Sequence, residues 1–436
     1  MRTVPRRGDD VDSMKILIFT FGTRGDVQPY VALGEALQKS GHSVILSTGQ
    51  GFDGMIVRHG LVPASLSIDF RSILADPGMQ DAMRTFSGKV RAWRQFKATF
   101  KTHYREMWAM ARKVQPDMIL GHPKGFAAIH IAEALGVVFV PTTLQPAFSP
   151  TTAFPNFLLP FADLGATGNW LSHSLFNRLA RWGQSSSLGT FRSEVLGLTE
   201  EKSPNFFNGY HPAGKVVPRL HGYSRHILPK PLDWGEADHI TGYWFTDPEA
   251  AWQPSPDLQH FMQSGPPPVY VGFGSMPAED AHRQTLIVVE ALRLAGRRGV
   301  LATGWGGLQR PDGDSDLPRS IFCLDAVPHD WLFPRCSAIV HHGGAGTTHE
   351  GLRWGRPSVL CPVTVDQPFW GARIRELGVG PKPIPQKDMT SGLLANAIME
   401  AHSAEIVARA AAIGDNIRWE GGVAAAVAIL STVEKF

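Results

Sequence analysis

The residues best equipped for chemistry fall in one short stretch, His341-His342-Gly343-Gly344-Ala345-Gly346-Thr347, followed by Glu350 and by an Asp366-Gln367 pair. A glycine-rich turn that opens a helix gathers backbone N–H groups, and the helix dipole adds roughly half a positive charge at the same place. Such a turn binds phosphate. It lacks the Gly-Lys-Ser/Thr ending of a triphosphate-hydrolysing loop, so that chemistry is not expected. Thr347 and Glu350 also have the spacing of a capping box, which would tie Glu350 to the helix end instead of to a ligand. His341, His342 and His349 straddle a turn and share no helix face, which argues against a metal site. Near the N-terminus, Asp26 follows Arg24-Gly25 at a loop-to-helix junction, where an Asp most often serves as a helix N-cap. His122 ends a strand on the same predicted sheet and is either a loop residue or part of an acceptor site.

The elements that must hold these groups alternate between strand and helix. An apolar strand at 337–340 precedes the glycine turn. A helix opens at Thr347 and stops at Gly355, with Pro357 beyond it, and a second buried strand spans 358–361. Residues 15–48 read as strand, turn, helix and strand, a βαβ unit whose binding edge lies at the strand C-termini. A strand at 118–120, a helix at 125–135 and a strand at 137–140 continue that domain. In the second half, strands at 269–271 and 299–303 lead into the turns that carry Ser275 and Trp305, and a strand at 321–324 leads to Val327. The acidic run 312–316 lies between prolines and reads as a solvated loop, not as a D-x-D metal motif.

Two regions invite acceptor or membrane roles. Residues 84–113 form a helical pattern with Phe86, Val90, Trp93, Phe100, Tyr104 and Met107 on one side and many Lys and Arg elsewhere. It is either a packed helix with a solvated basic face or a surface for anionic membrane. Residues 141–210 carry Phe148, Phe154, Phe157, Phe161, Trp170 and Trp182 with weak periodicity, as expected for an apolar pocket built from loops and short helices.

At 436 residues the chain is long enough for two cores. A leader at 1–13, a first domain at 14–230, a linker at 231–265, a second domain at 266–415 and a terminal helix at 416–436 are expected. A net charge of +3 gives no argument for nucleic acid. The three cysteines have no ligand spacing and read as buried thiols of a reducing compartment, so a cytoplasmic protein is expected. No apolar run reaches transmembrane length, and 16–21 is too short for a signal-peptide core.

The run HHGGAGTTHE, then DQPFWG, then GVGP at 378–381, resembles the donor motif of nucleotide-sugar glycosyltransferases, and especially of sterol glucosyltransferases and their bacterial relatives. GTRGDVQPYVALGEAL at 22–37 resembles the N-terminal motif of the same enzymes. The resemblance implies the α/β GT-B fold, two Rossmann-like domains with parallel sheets facing a central cleft. It implies that His342, Gly344, Gly346 and Thr347 bind the donor diphosphate, Glu350 the ribose, and Asp366 and Gln367 the sugar. Ser275, Trp305, Val327, Arg24 and Gly25 would complete the donor site, with Asp26 as catalytic base and His122 beside it. The implied donor is UDP-glucose, with no metal required, and the implied acceptor is a hydrophobic hydroxyl compound. A UDP-glucuronate donor is disfavoured because no basic residue lies near Asp366 and Gln367 in the sequence. A sugar-nucleotide epimerase or a non-catalytic binder would share the donor loop. Residues 144–148, Leu-Gln-Pro-Ala-Phe, depart from the Met-Pro-Trp segment of the sterol enzymes.

Overall fold

The computed structural model describes residues 13–75, 78, 101–159, 163–199, 204–248, 252–274, 280–303, 307–310 and 317–435. The first domain is a seven-stranded sheet ordered β3-β2-β1-β4-β5-β6-β7. Its strands are β1 (Lys15–Phe19), β2 (Ser43–Thr48), β3 (Val62–Ser65), β4 (Met118–Gly121), β5 (Val138–Thr143), β6 (Arg219–His221) and β7 (Asp238–Ile240). The second is a five-stranded sheet ordered β10-β9-β8-β11-β12. It contains β8 (Val269–Gly272), β9 (Gly299–Ala302), β10 (Ile321–Leu324), β11 (Ala338–His341) and β12 (Ser358–Leu360). All ladder pairings are parallel, with β1 beside β4 (Phe19↔Gly121) and β8 beside β11 (Gly272↔His341). Strands covered on both faces must be apolar along their length, and Ile16, Leu17, Ile18 and Phe19 have no exposure at all.

Each sheet reverses its strand order once, between β1 and β4 and between β8 and β11. At such a reversal the loops at the strand C-termini part and leave a crevice. The loop after β1 leads to Asp26, and His122 follows β4. Gly274 follows β8, and His342 follows β11. The two crevices face each other across the cleft.

The halves are also bonded together. His349 Nε2 accepts the Ser224 N–H at 3.1 Å, and Arg373 donates to the Ile227 carbonyl at 3.0 Å. The helix Gly422–Leu430 returns to the first domain, where Ala426 and Leu430 are buried with Tyr30 and Trp244.

Several elements differ from expectation. Strand β7 lies inside the stretch expected as linker, because Asp238 is buried there and anchored by Arg219 at 2.7 Å and His221 at 3.1 Å. The aromatic region holds one long helix, Gly165–Phe191, in place of short ones; its apolar residues occupy both faces, which blurs the period. The helix at 341–355 starts at Ala345, two residues before Thr347. Of the 84–113 pattern only 101–113 is described, helical with Tyr104 and Met107 buried and Lys101 and Arg105 exposed. The rest of that pattern, residues 1–12 of the leader, Phe161, Ser275, Trp305 and the acidic run 312–316 lie outside the described residues. All three cysteines are buried thiols.

Candidate active site

A cavity of about 1430 Å³ fills the cleft and is lined from both domains. The first domain contributes the start of helix Arg24–Lys39, the His122–Lys124 turn and the apolar side chains of Phe126, Phe157, Phe176 and Phe207. The second contributes His342, Gly344, Gly346, Thr347, Glu350, Asp366, Gln367 and the segment from Ala326 to Asp330. Arg24, Gly25, Asp26, His122 and Val327 therefore stand on the same cavity as the glycine turn.

Asp26 is the third residue of its helix, not its N-cap. Thr23 occupies the cap, and Asp26 Oδ2 accepts the Thr23 N–H at 2.8 Å, the carboxylate half of a capping box. The other oxygen, Oδ1, accepts from Lys124 Nζ at 2.8 Å. Burial alone would raise the Asp26 pKa, but the Lys124 ammonium and the hydrogen bonds from Lys124 and Thr23 outweigh it and hold the group below the usual range. Gly22 makes room for this pairing: at φ +137° a Cβ there would meet Asp26 Oδ2 at 2.1 Å and Lys124 Nζ at 2.6 Å. Lys124 was missed in the sequence because no pattern links position 124 to position 26.

His122 lies behind this pair. Its Nδ1 accepts the Lys124 backbone N–H at 3.3 Å, which places the ring proton on Nε2, 3.7 Å from Asp26 Oδ1. Burial lowers its pKa to about 3, so at neutral pH it is uncharged.

In the second domain, Gly343 N–H bonds to His341 Nδ1 at 3.1 Å and shapes the turn. The His342 ring lies between two glycines: a Cβ at Gly344 would meet its Nε2 at 2.6 Å, and one at Gly274 would meet its Cε1 at 2.7 Å. Its Nδ1 is buried without a partner, and burial lowers its pKa to about 4. It is thus a neutral group with an unused polar atom beside a helix N-terminus. The helix cap is Gly344, so Thr347 and Glu350 form no capping box; Glu350 instead accepts from Trp354 Nε1 at 2.7 Å. Burial raises the Glu350 pKa. His349 is not free to join His341 and His342 around a metal. His349 spends Nδ1 on the Ala345 carbonyl at 2.7 Å and Nε2 on Ser224, while stacking on Tyr243 with centroids 4.6 Å apart.

Asp366 caps helix Gln367–Glu376, and its Oδ2 accepts from Trp370 Nε1 at 3.0 Å and Gln145 at 3.4 Å. Burial pushes its pKa up to about 6, opposed by the Trp370 bond and reinforced by Asp26. Gln367 Oε1 accepts the Val363 N–H at 2.7 Å and the Thr364 N–H at 3.1 Å, leaving its amide N–H groups for a ligand. Val365, just before Asp366, has φ 60°, a strained conformation for a β-branched residue at the cavity wall. The expected lack of a basic residue near Asp366 is corrected: Lys124, from the other domain, is close enough to lower its pKa.

Residues 16–153 match the Glycosyltransferase family 28 N-terminal domain, and residues 308–416 match the Erythromycin biosynthesis protein CIII-like, C-terminal domain. Sterol 3-beta-glucosyltransferase UGT80B1 of Arabidopsis thaliana is 34% identical over 440 residues, covering 98% of this chain and 68% of that protein. The chain belongs to the sterol 3-beta-glucosyltransferase family. It is a glycosyltransferase of the GT-B fold. The family member from Saccharomyces cerevisiae is 34% identical over 96% of this chain, which spans only 35% of the yeast protein. Two solved structures share the glycosyltransferase's fold at low identity. The calicheamicin glycosyltransferase CalG4 superposes with a TM-score of 0.69 at 17% identity, covering 96% of this chain and 97% of that one. Glycosyltransferase VinC in complex with dTDP gives 0.65 at 20%, covering 96% and 98%.

Proposed function

We propose that the enzyme transfers glucose from UDP-glucose to a hydroxyl of a hydrophobic acceptor, such as a sterol, triterpenoid, lipid or phenolic natural product, with inversion. The observation that carries this reading is that Asp26 Oδ1 and the His342 helix terminus line one cavity from opposite domains. The acceptor oxygen attacks the anomeric carbon as its proton passes to Asp26 Oδ1, and the bond to the UDP oxygen breaks. An Asp is a weak base, with a reference pKa of about 3.9, so proton transfer accompanies bond-making. A positioned base contributes roughly 10²–10⁴-fold. One base opposite one leaving group gives a single displacement and inverted configuration. The His122 Nε2–H faces Asp26 Oδ1 at 3.7 Å, beyond hydrogen-bond reach, and would act beside the base once the site is occupied.

His342, Gly344, Gly346 and Thr347 would hold the diphosphate, and the helix N-terminus would take up charge on the departing UDP without a metal. Glu350 suits the ribose diol, Val327 the base, and Asp366 with the Gln367 amide the sugar hydroxyls. The apolar wall of Phe126, Phe157, Phe176 and Phe207 suits a hydrophobic acceptor. The test is incubation with UDP-glucose, UDP-glucuronate and a TDP-deoxysugar against an acceptor panel, with the product's anomeric configuration read by NMR. A β-glucoside from UDP-glucose, formed equally in EDTA, is expected. Faster turnover with another donor, a retained α configuration, or Mn²⁺-restored activity would each overturn the corresponding part.

A further inference from the structure

Helix Gly165–Phe191 buries one side and leaves an apolar stripe of the other in solvent. Leu171, Leu175, Leu179 and Trp182 recur at three- or four-residue steps, with relative exposures of 53%, 58%, 52% and 76%. The inner face is tied down through His173, bonded to the Phe154 carbonyl at 3.1 Å, and Asn177, which donates to the Phe148 carbonyl at 3.1 Å. Phe176, on the same helix, lines the cleft cavity, and so does the exposed Leu158. One helix thus carries both the exposed apolar stripe and a side chain of the cavity wall. A scattered exposed leucine is ordinary, whereas a contiguous stripe marks a contact surface. Its charge selects the partner. Residues 165–191 contain no Asp or Glu, and Arg178 and Arg181 are exposed beside the stripe. An apolar helix face bordered by cations fits the interfacial zone of an anionic bilayer.

We propose that this face docks on an anionic lipid surface and admits a bilayer-dissolved acceptor directly to the cavity. The docking half is independent of the glucosyl-transfer reading, and the delivery half rests on it. The experiment is flotation of the full chain with vesicles of phosphatidylcholine alone or mixed with phosphatidylglycerol, without donor or acceptor. Leu175→Glu/Leu179→Glu and Arg178→Glu/Arg181→Glu double variants are compared, with melting temperature confirming the fold. Binding to the anionic vesicles at low salt is expected, weakening with salt and falling on the order of 10-fold or more in each variant. Turnover of a vesicle-held acceptor should fall in parallel, while turnover of a water-soluble acceptor stays unchanged. Absence of binding at low salt, or equal binding by wild type and variants, would overturn the proposal. So would a Leu-pair variant that merely converts a dimer to a monomer, since the face would then join two copies. An enzyme that binds vesicles normally yet forms no glycoside would count against the transfer reading and not against docking.

Discussion

Lys124 Nζ lies 2.8 Å from Asp26 Oδ1, although 98 positions separate the two residues in the chain. The ammonium is half exposed and the carboxylate side chain is mostly buried, so the cation reaches in from the cavity side. It offsets the cost of keeping a carboxylate ionised in an apolar cleft.

Lys124→Met should move the acid limb of the pH–rate profile to higher pH. Lys124 favours the ionised carboxylate, and without it burial raises the Asp26 pKa. Asp366 across the cleft pushes the same way, while His122 is neutral and Tyr30 and Tyr243 carry no charge at working pH. The need for ionised Asp26 would then fail at a higher pH than in the wild type. Lys124→Arg should restore the profile. An unchanged acid limb in Lys124→Met would show that the pair has no part in setting the base.

Asp26→Asn keeps a carbonyl oxygen for the Thr23 N–H, so stability should drop by only about 1 kcal/mol, measured by thermal melting. Turnover should fall on the order of 10²-fold or more because the amide takes no proton. UDP affinity, read by calorimetry, should hold. Near-normal turnover in a folded variant would assign proton removal to another group.

Gly344→Ala tests the seat of His342 without backbone strain, since its φ is −62°. The new Cβ would lie 2.6 Å from His342 Nε2 and must displace the ring. UDP should bind roughly 10–100-fold more weakly, a loss of about 1.4–2.7 kcal/mol, with the melting temperature little changed. Unaltered UDP binding would remove His342 from the diphosphate site.

Asp366 titrates near pH 6 because it is buried. Above that pH it is an acceptor-only carboxylate for sugar hydroxyls, and below it the carboxyl is protonated and neutral. The KM for UDP-glucose should therefore rise as pH falls through about 6. In Asp366→Asn it should be high and flat. A wild-type KM independent of pH between 5 and 7 would separate Asp366 from donor recognition.

The sequence by itself determined the two parallel-sheet halves and the glycine turn that opens a helix. Those rest on local signals: unbroken apolar strands, the glycine turn, and the Gly355 and Pro357 stop. The loop motif placed His342, Gly344, Gly346, Thr347 and Glu350 on one turn because all are within one helix turn or two of each other. Asp26 was legible as a residue of consequence, but its seat was not. Thr23 or Asp26 could cap the helix from sequence spacing, and only the backbone path gave the cap to Thr23. The long helix Gly165–Phe191 was hidden because apolar residues on two faces cancel the period that betrays a one-sided helix. Strand β7 was hidden because three residues, one of them a charged Asp, give no strand pattern until Arg219 and His221 supply its partners. What the tertiary structure alone decided are the meetings across the chain: Lys124 on Asp26, Gln145 on Asp366, and His349 on Ser224. Each pairs polar groups that are at least partly withdrawn from water, with an energy that depends on distance and desolvation, and neither quantity exists before the chain has folded.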